Sequence, residues 1–192
     1  MSDVIILWDQ PLFFENMFKE YGISASVCEP SSLHSPHLPP AKLLIVPTGF
    51  TFPEHSSVSK ALSDTKTYRK IFDFVERGGV FLLFSPLRQV CACSTKPMIS
   101  SLACFGVKGE YVQTDVMILK KSPLTESLES TYCDGYFQNF DERFSVVESD
   151  ENGRPVHLSM SLGDGKIIVS SIHEFLSKAY FDSLLEGPKV KL

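Results

Sequence analysis

The chain has no apolar run that approaches the roughly 20 residues a bilayer demands. Its opening stretch, MSDVIILWDQ, places an acidic residue before the apolar run and ends that run at Asp9. This is the pattern of neither a signal peptide nor a membrane span, so the expectation is a cytoplasmic protein without membrane insertion. Clustered basic charge is missing as well. Eighteen Lys and Arg stand against 23 Asp and Glu, for a net charge of −5, and no basic stripe could follow a phosphate backbone. Nucleic acid is therefore not an expected partner. The five cysteines, Cys28, Cys91, Cys93, Cys104 and Cys133, are odd in number and lack the repeated spacing of a disulfide framework, which predicts reduced thiols. Cys91 and Cys93 supply half of a zinc site at most, with no second CxxC or HxxxH to complete it. His34, His37 and His55 fall in loop-like stretches without spaced ligand partners, so no metal and no cofactor is expected.

What is present is a core. With 192 residues, 43% of them hydrophobic and 15 of them Phe, the chain is long enough for one well-packed domain and short for two. We read residues 1–186 as a single α/β domain and 187–192 as a frayed tail. VIILW (4–8) and KLLIV (42–46) are short continuous apolar runs, and VFLLF (80–84) is a third. Runs without alternation fit strands buried on both faces, the pattern of a parallel sheet. Between them, LFFENMFKEYG reads as a helix ended by Gly22, ISASV as an edge-type strand, and 57–77 as one helix burying Tyr68, Ile71, Phe72 and Val75. Gly78 and Gly79 end that helix, with at least one of them expected at positive φ.

The second half changes rhythm. KPMISSLACFG reads as a further helix, then EYVQTDVMIL, FSVVES, PVHLSM and GKIIVSS as strands separated by turn signals at Ser122-Pro123, Asn152-Gly153 and Gly163 to Gly165. IHEFLSKAYFDSLL reads as a closing helix. Alternating strands and helices followed by extra strands predict a doubly wound, mainly parallel α/β sheet with helices on both faces.

This order of elements resembles the class I glutamine amidotransferase-like superfamily, and the resemblance implies a flavodoxin-like α/β fold. LLIVPTGF is similar to the strand and loop that supply the oxyanion site there, and IFDFVERGGVFLLFSPLRQ to the helix, paired glycines and nucleophile elbow. SSLACFGV, SPLTESLES and GKIIVSSIHEFLS further resemble a non-catalytic branch whose relatives occur in intraflagellar transport proteins and transporter accessory proteins. The resemblance implies a cysteine, any residue, a glycine and, two further on, a glutamine at the elbow. Here those positions hold Ser85, Pro86, Leu87 and Gln89, so only the glutamine is kept.

An elbow nucleophile needs a strained turn and the backbone N–H of the next residue to stabilise the oxyanion. Pro86 has no N–H, and it drives Ser85 toward extended conformations. The family's His-Pro-Glu at the last strand is replaced by His173-Glu174, without the proline. Two readings follow. One is a non-catalytic domain binding a small ligand or a protein partner through Asp9, Thr48, Gly49, Ser85, Gln89 and His173, all expected at the carboxyl ends of the strands. The other is a serine-dependent hydrolase or amidase using Ser85 and His173, with Glu174 beside them.

Overall fold

The computed structural model describes residues 2–9, 13–48, 56–84, 98–99, 110–119, 131–172 and 176–192. The three apolar runs form β1 (Val4–Leu7), β3 (Leu43–Val46) and β4 (Val80–Phe84), and every residue in them is buried. Between the first two lie α1 (Phe13–Glu20) and β2 (Ala25–Cys28). The segment expected as one helix over 57–77 is two, α2 (Ser56–Ser63) and α3 (Thr65–Glu76). The break falls at Asp64, which leaves helical geometry to cap α3. Its carboxylate accepts from the amides of Lys66 (3.1 Å) and Thr67 (3.0 Å). The buried face of α3 is Thr67, Ile71, Phe74 and Val75. Tyr68 and Phe72, expected inside, are half-buried and lie with ring centroids 5.8 Å apart.

The second half contributes β5 (Met98–Ile99), β6 (Glu110–Leu119), β7 (Thr131–Gln138), β8 (Ser145–Ser149), β9 (Pro155–Leu162), β10 (Gly165–Ser170) and α4 (Lys178–Leu184). Two expectations are corrected here. Met98–Ile99 pairs with Glu110 and Tyr111 as a strand, where a helix was read from KPMISSLACFG. The closing helix is shorter than IHEFLSKAYFDSLL, because Ile172 bridges to Cys133 and Ser177 caps α4 by accepting from the Tyr180 amide at 3.2 Å.

The main sheet has seven strands in the order β2-β1-β3-β4-β10-β9-β8, and its first five strands are mutually parallel. β9 and β8 continue it antiparallel. The expected flavodoxin-like α/β architecture is therefore present. Because the chain moves one way from β1 to β2 and the other way from β3 to β4, right-handed crossovers put α1 and the α2–α3 pair on opposite faces. α4 joins the α1 face, where Phe18 and Phe181 meet edge to face at 5.0 Å.

Gly78, at φ +103, turns the chain out of α3 into β4, as expected of one glycine of the pair. Gly79 lies under the Phe74 ring so closely that a Cβ would overlap it. β7 was not read from the sequence. It pairs with β6 in a separate three-stranded sheet, β5-β6-β7, and the Cys133–Ile172 bridge ties that sheet to the chain leaving β10.

The tail over 187–192 is not frayed. Val190 and Ala41 exchange both backbone hydrogen bonds (2.7 and 2.9 Å), Arg77 donates to the Lys191 carbonyl (2.9 Å), and Lys189 pairs with Asp3 (2.7 Å). Val190 and Leu192 are buried, so apolar contact holds a segment whose composition suggested freedom.

Candidate functional site

Parallel strands share a carboxyl edge, and the strand order sets where that edge opens. β2 lies on one side of β1 and β3 on the other, so the strand order reverses between β1 and β3, the switch point at which open α/β sheets take their ligands. Asp9 and Thr48 stand on its two sides. Each lies two residues beyond its strand, and carrying the Val4–Leu43 register forward sets one opposite the other.

The Asp9 carboxylate is half-buried and accepts a short hydrogen bond from Ser57 Oγ in the first turn of α2. Ser57 was not anticipated. Its Ser-Ser start is a recognisable helix opening, but only the fold brings it to Asp9. The Thr48 hydroxyl is buried, and among the described residues it has no hydrogen-bond partner. A buried hydroxyl without a partner costs about 1–3 kcal/mol, so groups of this kind are rare in folded proteins. The two sides thus differ: a carboxylate reachable from solvent, and an inner hydroxyl able both to donate and to accept.

Farther along the same edge, Phe84 of β4 pairs with Ser170 of β10. Ser85 follows the first in sequence and His173 comes three after the second. Ser85, Gln89, His173, Glu174 and Gly49 all lie outside the described residues, as do Cys91, Cys93 and Cys104. Cys28 and Cys133 are buried and in no disulfide, and burial pushes the Cys28 thiol up to about 11, which keeps it protonated and unreactive. His34, expected to be solvated, is exposed but shares a hydrogen bond with Thr67 Oγ1 at 3.1 Å. Among the described residues no three His, Cys, Asp or Glu side chains group as a metal site, and no helix is long and apolar enough to cross a membrane.

A second polar group sits inside the core. His157, on β9 opposite Ser170, is fully buried; its Nε2 meets Tyr180 Oη on α4 at 2.7 Å, and its Nδ1 has no partner among the described residues. Burial pushes His157 down to about 3 and raises the Tyr180 hydroxyl well above its ordinary value. An imidazole that holds no proton until such acidity cannot serve as a base near neutral pH, where catalysis wants a value close to 7. This pair anchors α4 to the main sheet.

No protein-family model matches the chain, and no curated protein matches it by sequence. Solved structures do match by shape. An exo-β-1,4-mannosidase from an Opitutaceae bacterium superposes with TM-score 0.55 at 12% identity, over 95% of this chain and 32% of that one. A β-galactosidase from Bacillus circulans gives 0.52 at 14% identity, over 96% and 30%. The chain therefore spans about a third of the length of these glycosidases. It also spans nearly whole chains. A putative GMP synthase component from Thermoplasma acidophilum gives 0.54 at 11% identity, over 96% and 92%. A cytoplasmic protein of Salmonella typhimurium gives 0.53 at 10%, over 96% and 98%. Identities this low establish the fold alone: the flavodoxin-like α/β architecture that this chain shares with a putative GMP synthase component and with a portion of several glycosidases.

Proposed function

We propose that the chain is a cytoplasmic, non-catalytic glutamine amidotransferase-like domain. It binds a small polar molecule, or a polar side chain offered by a protein partner, in the crevice between the carboxyl ends of β1 and β3. The observation that carries this reading is the buried Thr48 hydroxyl, without a hydrogen-bond partner among the described residues, two residues beyond β3 at the point where the strand order reverses. Ser85 and Gln89 after β4, with Gly49 and His173, extend the site along the edge in this proposal. The appearance of the fold as one portion of longer chains supports its use as a module.

The non-catalytic half of the proposal rests on Pro86, which offers no N–H to an oxyanion. Losing one such donor typically costs about 100-fold to 1,000-fold in rate. The test has two arms. A screen of small polar compounds by thermal shift should find stabilising ligands whose effect is lost in Thr48→Val, a near-isosteric change that removes only the hydroxyl. A serine-reactive fluorophosphonate should label wild type, Ser85→Ala and His173→Ala equally. Labelling that disappears in both variants would establish the serine hydrolase in place of the binding domain.

A further inference from the structure

The turn between β8 and β9 carries Asn152 followed by Gly153, both exposed. An asparagine before glycine is chemically labile, because the glycine has no side chain to shield its backbone nitrogen. At Gly153 that nitrogen stands in open space as well: φ is +75°, and an added Cβ would meet no heavy atom within 4 Å. In the reaction this allows, the Gly153 nitrogen gives up its proton and attacks the side-chain carbonyl carbon of Asn152. A C–N bond forms, the bond from that carbon to the amide nitrogen breaks, and ammonia leaves with the proton. The succinimide ring takes up one water and opens to an aspartyl residue, or to an isoaspartyl residue with one more methylene in the main chain.

The fold holds both reactants back. The Gly153 N–H donates to the Asp150 carbonyl at 3.0 Å, so its proton is engaged. Asp150 Oδ1 accepts from the amides of Asn152 (3.0 Å) and Arg154 (2.7 Å), and the Asp150 amide donates to the Arg154 carbonyl (2.9 Å). Ring closure requires the peptide plane between residues 152 and 153 to rotate, which these bonds oppose. Local opening of the turn must come first.

We propose that Asn152-Gly153 is a site of spontaneous covalent modification, a deamidation gated by the Asp150 clamp, whose product weakens that clamp. The product adds a carboxylate two residues from Asp150, and its isoaspartyl form carries Arg154 out of register with the acceptors that hold it.

The experiment incubates folded protein at mildly alkaline pH beside a sample in denaturing urea. Peptide mapping reads the mass gain at Asn152 as NH2 gives way to OH. Conversion should be at least about tenfold slower in the folded protein than in urea. Asp150→Ala removes a charged acceptor and should convert about tenfold faster than wild type, with Asp150→Asn between the two and Trp8 emission checking that each variant is folded. The converted fraction, separable by anion exchange through its added charge, should unfold at a lower urea midpoint. No conversion at Asn152 in urea overturns the site. Equal rates in the folded and urea samples, or in folded Asp150→Asn and wild type, overturn the gate, and an unchanged midpoint overturns the effect on the clamp.

Discussion

His157 shows how one buried polar side chain can govern a response of the whole fold. The folded protein holds this imidazole neutral down to about pH 3, whereas an unfolded chain takes up the proton near 6.5. Between those values the unfolded state binds more protons, so stability falls as pH drops through 6.5, by up to about 1.4 kcal/mol per unit. Urea unfolding at intervals from pH 4 to 6.5 should show a steeper loss in wild type than in His157→Gln, whose amide can still bond to Tyr180. Carboxylates contribute to both slopes and cancel in the difference; equal slopes would mean that the imidazole titrates within the fold. Little of this was legible beforehand. PVHLSM reads as a strand, but that His157 would face Tyr180 of a helix 23 positions later depends on β9 lying against β10. Asp9 and Thr48 were legible as strand-end residues. Their opposition was not, since it follows from the β1–β3 register.

Among the elements, the β8–β9 hairpin is organised by Asp150, which is 8% exposed. Burial alone would raise its carboxyl, but Arg154 and the backbone amides of Arg154 and Asn152 outweigh that and hold it below its ordinary range. Oδ1 accepts from the amides of Asn152 (3.0 Å) and Arg154 (2.7 Å), Oδ2 from Arg154 Nε (2.7 Å). The same guanidinium lies 4.9 Å from the centroid of Tyr136 on β7, so the turn also clamps the small sheet. Asp150→Ala should cost about 2–4 kcal/mol, because it strands these donors, and Asp150→Asn should cost less, keeping some of the acceptors. Denaturant midpoints at neutral pH check the order. Strands of unbroken apolar residues were legible because burial on both faces leaves no other composition. β7 was not: TYCDGYFQ carries Asp and Gly, which suit a short strand of a small sheet and not a central one. The split at Asp64 was within reach, since an aspartate before Thr-Lys-Thr is a capping signal in the middle of an otherwise periodic run.

At the scale of the molecule, the first and last thirds of the chain are one structure. β4 is paired on one side with β3 and on the other with β10, and the tail bridges back to Ala41 beside β3. Unfolding should then be a single event. Trp8 emission, which reports the first strand, and far-UV ellipticity, which averages over all elements, should give coincident thermal midpoints. Separate transitions would show that β8–β10 and the tail form an independent unit. Val190→Asp should lower both midpoints together, by roughly 4–8 °C if the buried charge costs about 2 kcal/mol.

The β4–β10 pairing also sets a timetable for synthesis. β4 is complete at Phe84 and its second neighbour begins at Gly165, so the 80 residues from 85 to 164 must be translated in between. At typical elongation rates of about 5–20 residues per second, this takes roughly 4–16 s, and during that time VFLLF presents an open, wholly apolar edge outside the ribosome. Such an edge is a template for pairing with other chains. The nascent chain is therefore most exposed to misassembly just before its last strand arrives, and slowing translation after residue 84 should lower the soluble yield more than slowing it after residue 170.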